Sequence, residues 1–386
     1  MGERNRKVRR IGEECLPERC VLCGKCTASC PSFKRKRNEA FSPRGRMALT
    51  GAFLKGEIKP GNVFRRSLEH CVMCGACTAS CPTGSNPRLA VILLKSLEEF
   101  RNIHESIRHH FKAVPEKTFP LEFFREVLDL DLPGSEPIVP GTDPVSPQSS
   151  ETGPRRLYLS NCISRNILPE IARAGMRFLE GLPGNLDIAD DFHFCGLPHF
   201  MVGETRAARE IALRNINIVE RSDPDEIVFD SADCARMFRD YAVLFPPGSR
   251  ERGRVDSITD RIRLLPELVT KLAKPPSGKG FRVLFEDSCS MRYGPVRSDS
   301  INAWLASLEG VDLIEGEAEE CLPGWALLLR GPESELAKEM IGRKVEFIRE
   351  KKPDAVVMDD PAARFLLSRN MPDVTFLSLP EVLFLL

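Results

Sequence analysis

The chain has 386 residues, 42% hydrophobic and 28% charged, with 55 Lys and Arg balancing 55 Asp and Glu. At ~150 residues per domain this suggests about two or three domains, each able to bury a core, and zero net charge argues against a general nucleic-acid binder. No apolar run approaches the ~18 residues that span a bilayer, and the charged start, Met1 to Arg10, lacks the apolar stretch of a secretory signal.

In chain order, residues 1–50 hold 13 Lys and Arg against 5 Asp and Glu, and Lys34-Arg35-Lys36-Arg37 forms a basic arm. The arm reads either as a solvated loop or as a docking patch for an acidic partner. Ser42-Pro43 is an N-cap followed by Pro at the first helical position, and Met47, Leu49, Phe53 and Leu54 supply a short helix. Asn86-Pro87 repeats that signal, and Leu89, Ile92, Leu93, Leu97 and Phe100 predict an amphipathic helix over about 87–105. Nothing in this region alternates as a strand would.

Residues 131–156 contain prolines at 133, 137, 140, 144, 147 and 154 with Gly134, Gly141 and Gly153, a composition that builds no core and reads as a linker. Beyond it, strands are expected at 157–159, 226–230, 281–285, 355–358 and 374–377. Helices are expected at 169–179, 206–220, 256–272 and 333–349. This alternation implies parallel-sheet α/β units. The expected domains are therefore 1–130, a linker over 131–155, and α/β lobes over 156–275 and 280–386.

The lobes repeat one another. Tyr158-Leu-Ser-Asn-Cys162 parallels Phe285-Glu-Asp-Ser-Cys289, and Phe194-Cys195-Gly196 parallels Cys321-Leu322-Pro323-Gly324, at an offset of about 127. Asp225–Asp230 parallels Asp354–Asp359, and Leu264–Val269 parallels Ser378–Leu383. The expectation is an internal duplication with pseudo-twofold symmetry.

Eight of the 14 cysteines form two runs, Cys20-x2-Cys23-x2-Cys26-x3-Cys30-Pro31 and Cys71-x2-Cys74-x2-Cys77-x3-Cys81-Pro82. In a reducing compartment such clustering favours metal over disulfides. Each run has the spacing of two-cluster ferredoxins, in which the fourth Cys ligates the other cluster. One [4Fe–4S] cluster is thus assigned to Cys20, Cys23, Cys26 and Cys81, and another to Cys71, Cys74, Cys77 and Cys30. Paired zinc ribbons would leave the third Cys and the Cys-Pro of each run unexplained. Cys15 reads as a bystander thiol and His70 as a donor beside a cluster rather than a ligand. The forty residues between Cys30 and Cys71 look helical, which points to an all-helical ferredoxin domain. No Gly-rich phosphate fingerprint follows a strand, so no nicotinamide or flavin site is expected in the chain.

The two runs, Ser42-Pro43-Arg44-Gly45-Arg46 between them, and Cys81-Pro-Thr-Gly84 closely resemble glycolate-oxidase-type iron–sulfur subunits. That family continues into cysteine-rich "CCG" domains, shared with heterodisulfide reductase subunits, and the α/β half resembles these. The resemblance implies a helical ferredoxin domain followed by a duplicated, degenerate CCG-like α/β domain, in a cytoplasmic protein, free or peripheral to a membrane through a partner. It also implies a non-catalytic electron-transfer subunit, relaying electrons between a flavin-containing subunit and another redox partner, with no nucleic acid involved. The flavin-containing partner could be a 2-hydroxy-acid dehydrogenase, a heterodisulfide-reductase-like flavin subunit, or a module of an anaerobic reductase.

In heterodisulfide reductase a CCG domain supplies five Cys to an unusual cluster. Here the first lobe keeps Cys162, Cys195 and Cys234, with Phe194 and Ser231 at the other positions. The second keeps Cys289 and Cys321 and has Asp359-Asp360-Pro361-Ala362-Ala363 near the last site. No cluster is expected in the second lobe. In the first, the three Cys are either buried apolar thiols or, with His193 or His199, a third cluster serving disulfide or thiol reduction.

Overall fold

Between residues 17 and 100 every regular element is a helix or a 3-10 turn. This computed structural model describes residues 17–100, 123–125, 153–273, 277–294, 299–314, 316 and 321–385. The expectations for Cys15, for the 101–105 end of a helix and for most of the Pro-rich linker lie outside them. The chain forms two compact units. One comprises residues up to 113 with 196–213 and 239–256; the other comprises 114–195, 214–238 and 257–386. Segments 196–213 and 239–256, which the sequence assigns to the first lobe, thus pack with the N-terminal unit.

In the N-terminal unit the two cap signals act as expected. The Ser42 hydroxyl accepts from the Gly45 N–H at 2.9 Å and starts helix Pro43–Lys55, which stops at Gly56 in the left-handed conformation. The Asn86 side chain accepts from the Leu89 N–H at 3.1 Å and starts helix Pro87–Lys95. That helix is shorter than its apolar pattern suggests: Ser96 caps it, and Leu97 and Phe100 continue the buried face on a 3-10 turn, Glu98–Phe100. Phe53, Phe64 and Phe100 meet edge to face, with centroids 5.1–6.1 Å apart, and form the core with Leu68 and Leu89–Leu94. Every residue of Pro87–Lys95 is buried, so its charged members need partners. Arg88 pairs with Asp240 at 2.6 Å, and the Lys95 Nζ lies 3.5 Å from the Met201 carbonyl.

The second unit holds two four-stranded sheets, all parallel. The strands are β1 Arg155–Leu159, β2 Asn185–Ile188, β3 Glu226–Phe229, β4 Ile262–Leu264, β5 Ser277–Glu286, β6 Glu309–Ile314, β7 Ala355–Met358 and β8 Thr375–Leu377. Their spatial orders are β2-β1-β3-β4 and β6-β5-β7-β8. Five of these strands were expected. The missing β2 and β6 are edge strands, half exposed, so they lack a continuous apolar run. The third, β4, corrects the expected helix over 256–272, which is instead helix Arg250–Thr259, the three-residue β4, and helix Leu265–Leu272.

The sequence repeats coincide with recurring hydrogen bonds. Asp225 accepts from the Arg155 N–H at 2.8 Å, and Asp354 from the Arg282 N–H at 2.7 Å. Asp230 accepts from the Asn161 N–H and Asp359 from the Ser288 N–H, both at 2.7 Å. Glu267 accepts from the Leu264 N–H at 3.1 Å and Glu381 from the Ser378 N–H at 2.6 Å. In each sheet the carboxylates tie the first strand to the third and cap the last helix. Arg364 joins Glu381 at 2.5 Å and Glu170 at 3.0 Å, linking the lobes beside the packed helices Pro169–Glu180 and Leu379–Leu385. No helix among the described residues is long and apolar enough to cross a membrane.

Candidate metal centres

The two cysteine runs bend in the same way at matched positions. Leu22 and Met73 have φ of 53° and 54°, and Gly24 and Gly75 follow at 79° and 91°. A bulky L-residue in this region costs about 1–2 kcal/mol, so its recurrence marks a backbone shaped for something other than its own comfort. Thr27 and Thr78 then donate their N–H to the Gly24 and Gly75 carbonyls, both at 2.9 Å, and Cys30 and Cys81 to the Thr27 and Thr78 carbonyls, both at 3.2 Å. Each loop therefore turns sharply after its second Cys and again before its fourth.

The fourth thiols cross over. The Thr83 hydroxyl donates to the Arg19 carbonyl at 2.8 Å, pinning the Cys81 segment beside Cys20, and the Ser32 hydroxyl donates to the His70 carbonyl, pinning the Cys30 segment beside Cys71. Cys20, Cys23, Cys26 and Cys81 line one cavity, with Cys77 and Arg44 in its wall. The Cys26 thiol is pushed up by burial and by Cys20, Cys81 and Cys23; the Cys77 thiol is pushed up by burial and by Cys74, Cys71 and Cys30. Four thiols crowded together without a cation to share resist ionisation, yet metal binding requires thiolates.

Two features favour negative charge there. Burial alone would raise Cys81, but the Thr83 hydroxyl at 3.4 Å and the N–H groups of Thr83, Ser85 and Gly84 bring it below the usual thiol value. This explains the Cys-Pro-Thr-Gly segment: it turns a nest of donors onto one sulfur. Arg46 is buried, donates Nε to the Ser67 carbonyl at 2.9 Å and Nη1 to the Cys30 sulfur at 3.9 Å, and leaves Nη2 without a hydrogen-bond partner among the described residues. A buried, incompletely paired guanidinium is expensive unless an anion lies nearby. Arg44, paired to Glu39 at 2.7 Å, packs over Gly24, where a Cβ would stand 2.5 Å from its Nη1. Gly45 has no room for a side chain either, since a Cβ would fall 1.9 Å from the Glu39 carbonyl oxygen. The soft donors, the nest and the orphaned cation fit anionic iron–sulfur clusters, which Cys20, Cys23, Cys26 and Cys81 and, separately, Cys71, Cys74, Cys77 and Cys30 would hold. His70 donates its Nδ1–H to the Arg66 carbonyl at 2.8 Å and packs against Phe41.

In the second unit, Cys162 opens helix Cys162–Asn166 after β1, and Cys195 and Cys234 converge on it. The Cys234 and Cys195 sulfurs are 3.4 Å apart, and the Asn161 Nδ2 donates to Cys234 at 3.2 Å. All three are buried; the Cys195 contact and burial hold the Cys234 thiol high, and burial and Cys195 do the same for Cys162. Beside them burial pushes Asp230 up to about 6 despite hydrogen bonds from the Asn161 N–H and the Tyr158 hydroxyl. His199 belongs to the other compact unit, where burial pushes its imidazole down to about 3 and keeps it neutral.

Cys289 and Cys321, where no cluster is expected, are bonded as a disulfide with Cα atoms 5.4 Å apart. The pairing was not legible from their 32-residue separation. Gly324 abuts the chain so closely that a Cβ would lie 2.4 Å from the Ala363 nitrogen.

These features define an iron–sulfur protein of the 4Fe–4S type with a CCG domain. Residues 17–85 match the 4Fe-4S dicluster domain model and residues 157–239 the cysteine-rich domain model. The chain is similar to glycolate oxidase iron–sulfur subunits. It is 24% identical to the probable glycolate oxidase iron-sulfur subunit of Bacillus subtilis strain 168, over 89% of this chain and 86% of that one. It is 21% identical to the glycolate oxidase iron-sulfur subunit of Escherichia coli K12, over 92% and 90%. Against a fumarate reductase (CoM/CoB) subunit of Methanothermobacter marburgensis it is 23% identical, over 94% and 71%. Among solved structures, a hypothetical protein from Helicobacter pylori shares the fold, with a TM-score of 0.53 at 9% identity over 90% of this chain and 68% of that one.

Proposed function

We propose that this chain is an electron-transfer subunit of a multi-subunit oxidoreductase, relaying electrons between a flavin-containing subunit and another redox partner through two [4Fe–4S] clusters. The observation that carries the reading is the cavity that gathers Cys20, Cys23 and Cys26 of one run with Cys81 of the other. Bound clusters supply one-electron redox chemistry; the chain supplies eight thiolates, the donors at Cys81 and the Arg46 charge. The relatives named as glycolate oxidase and fumarate reductase subunits support this role. We also read the two sheets, with matching strand orders and matching carboxylate ties, as products of one duplication, so that 156–275 and 280–386 form a scaffold following a helical domain over 1–130.

Anaerobically purified protein should carry about eight irons and eight sulfides per chain and show reducible cluster signals. Colourless or zinc-loaded protein would overturn the reading. The Cys162, Cys195 and Cys234 group, with two sulfurs 3.4 Å apart, favours a second reading: a heterodisulfide-reductase-like catalytic subunit with an additional cluster there. About twelve irons per chain would select it.

A further inference from the structure

The loops 20–26 and 71–77 share one backbone course but meet solvent in opposite ways. Val21 and Leu22 are 65% and 48% exposed and Cys23 is exposed, whereas the matched Val72, Met73 and Cys74 are 3%, 9% and 9% exposed. Among the described residues Val21 and Leu22 are the only adjacent pair of large apolar side chains left exposed. They stand directly over the cavity lined by Cys20, Cys23, Cys26 and Cys81. The surrounding stretch 17–37 carries six Lys and Arg and a single acid, Glu18, with Arg19, Lys25, Lys36 and Arg37 exposed. An apolar tip in a basic rim is the anatomy of an interface core with steering charges.

We propose that the Arg19–Lys25 loop is the docking surface for a redox protein that presents an acidic rim around an exposed cofactor edge. This rests on the two-cluster reading. Electrons enter or leave the chain at the centre held by Cys20, Cys23, Cys26 and Cys81, while the centre held by Cys71, Cys74, Cys77 and Cys30 communicates inward. In the transfer one electron moves; the partner's cofactor is oxidised by one, the centre is reduced by one, and no bond forms or breaks. Val21 and Leu22 exclude water from the contact, and the basic rim orients the encounter.

The test uses the full chain with its clusters and, as probe, the two-electron-reduced form of a small acidic flavoprotein, flavodoxin, mixed in a stopped-flow instrument. Wild type should be reduced at a rate that falls as salt rises. The double variant Val21→Ser/Leu22→Ser, which leaves charge unchanged, should be reduced about tenfold more slowly. Reduction by dithionite should be the same in both, and Val63→Ser, at another exposed apolar residue, should match wild type. Lys25→Gln should weaken the salt dependence. Equal flavodoxin rates in wild type and double variant, or no reduction of wild type by flavodoxin while dithionite reduces it, would overturn the docking surface and leave the clusters standing. Protein without iron would instead remove the two-cluster reading itself.

Discussion

Arg46 places one guanidinium nitrogen 3.9 Å from the Cys30 sulfur and keeps another buried with no hydrogen-bond partner among the described residues. The next arginine of the same segment, Arg44, is spent on Glu39 at the surface. The two therefore do different work: Arg44 covers Gly24, and Arg46 puts a cation inside.

Reduction adds negative charge to a cluster, and a buried cation favours the reduced form. Arg46→Gln should lower the midpoint potential of the centre carrying Cys30 by ~100 mV, the scale of one charge a few ångströms away at intermediate dielectric. Arg46→Lys should recover part of this. Redox titration followed by electron paramagnetic resonance reads both centres, and the centre carrying Cys81 should move much less.

Ligand crossing is checked by single substitutions. Cys81→Ala should impair the centre made with Cys20, Cys23 and Cys26, and Cys30→Ala the centre made with Cys71, Cys74 and Cys77. Iron analysis with cluster spectroscopy on each variant decides. Damage confined to the centre of the substituted residue's own run would refute the crossed assignment.

The Cys289–Cys321 disulfide closes a segment spanning 32 positions, a constraint contributing ~3–4 kcal/mol through the unfolded chain. Cys321→Ser should lower the melting temperature in non-reducing buffer, and reductant should bring wild type to the same value. Iron content should not change. A loss of iron would instead make these cysteines ligands.

Asp359 accepts the Ser288 N–H at 2.7 Å and its hydroxyl at 2.8 Å, but burial outweighs both and pushes the carboxyl up to about 7. Its ordinary value is ~3.9, so in the intervening window the folded chain holds a proton that the unfolded chain has lost. The resulting stability is complete below the unfolded value and is lost as pH rises through about 7. Asp359→Asn keeps an acceptor for the Ser288 N–H and should flatten the fall in thermal midpoint between ~pH 4 and ~7. An unchanged profile would place the titration elsewhere.

Much of the molecule was legible from local rules. Ser42-Pro43 and Asn86-Pro87 start helices because a side-chain oxygen beside a fixed φ satisfies free N–H groups, whatever the tertiary context. The buried strands β1, β3, β5 and β7 are continuous apolar runs, and they were found. The half-exposed edges β2 and β6 and the short β4 were not: β2 and β6 lack a continuous apolar run, and β4 runs directly into the apolar start of helix Leu265–Leu272. The exposure of Val21 beside the burial of Val72 was equally hidden, since the two runs are nearly identical in pattern.

By itself the order of residues determined which chemistry the chain carries: thiols at two- and three-residue spacing can only curl around a soft metal centre, a local property of backbone reach. Only the tertiary structure decided that Arg46 lies against Cys30, that Cys289 bonds Cys321, and that one cysteine loop faces water while its twin is covered. Those are contacts between residues distant in the chain, and no local spacing encodes them.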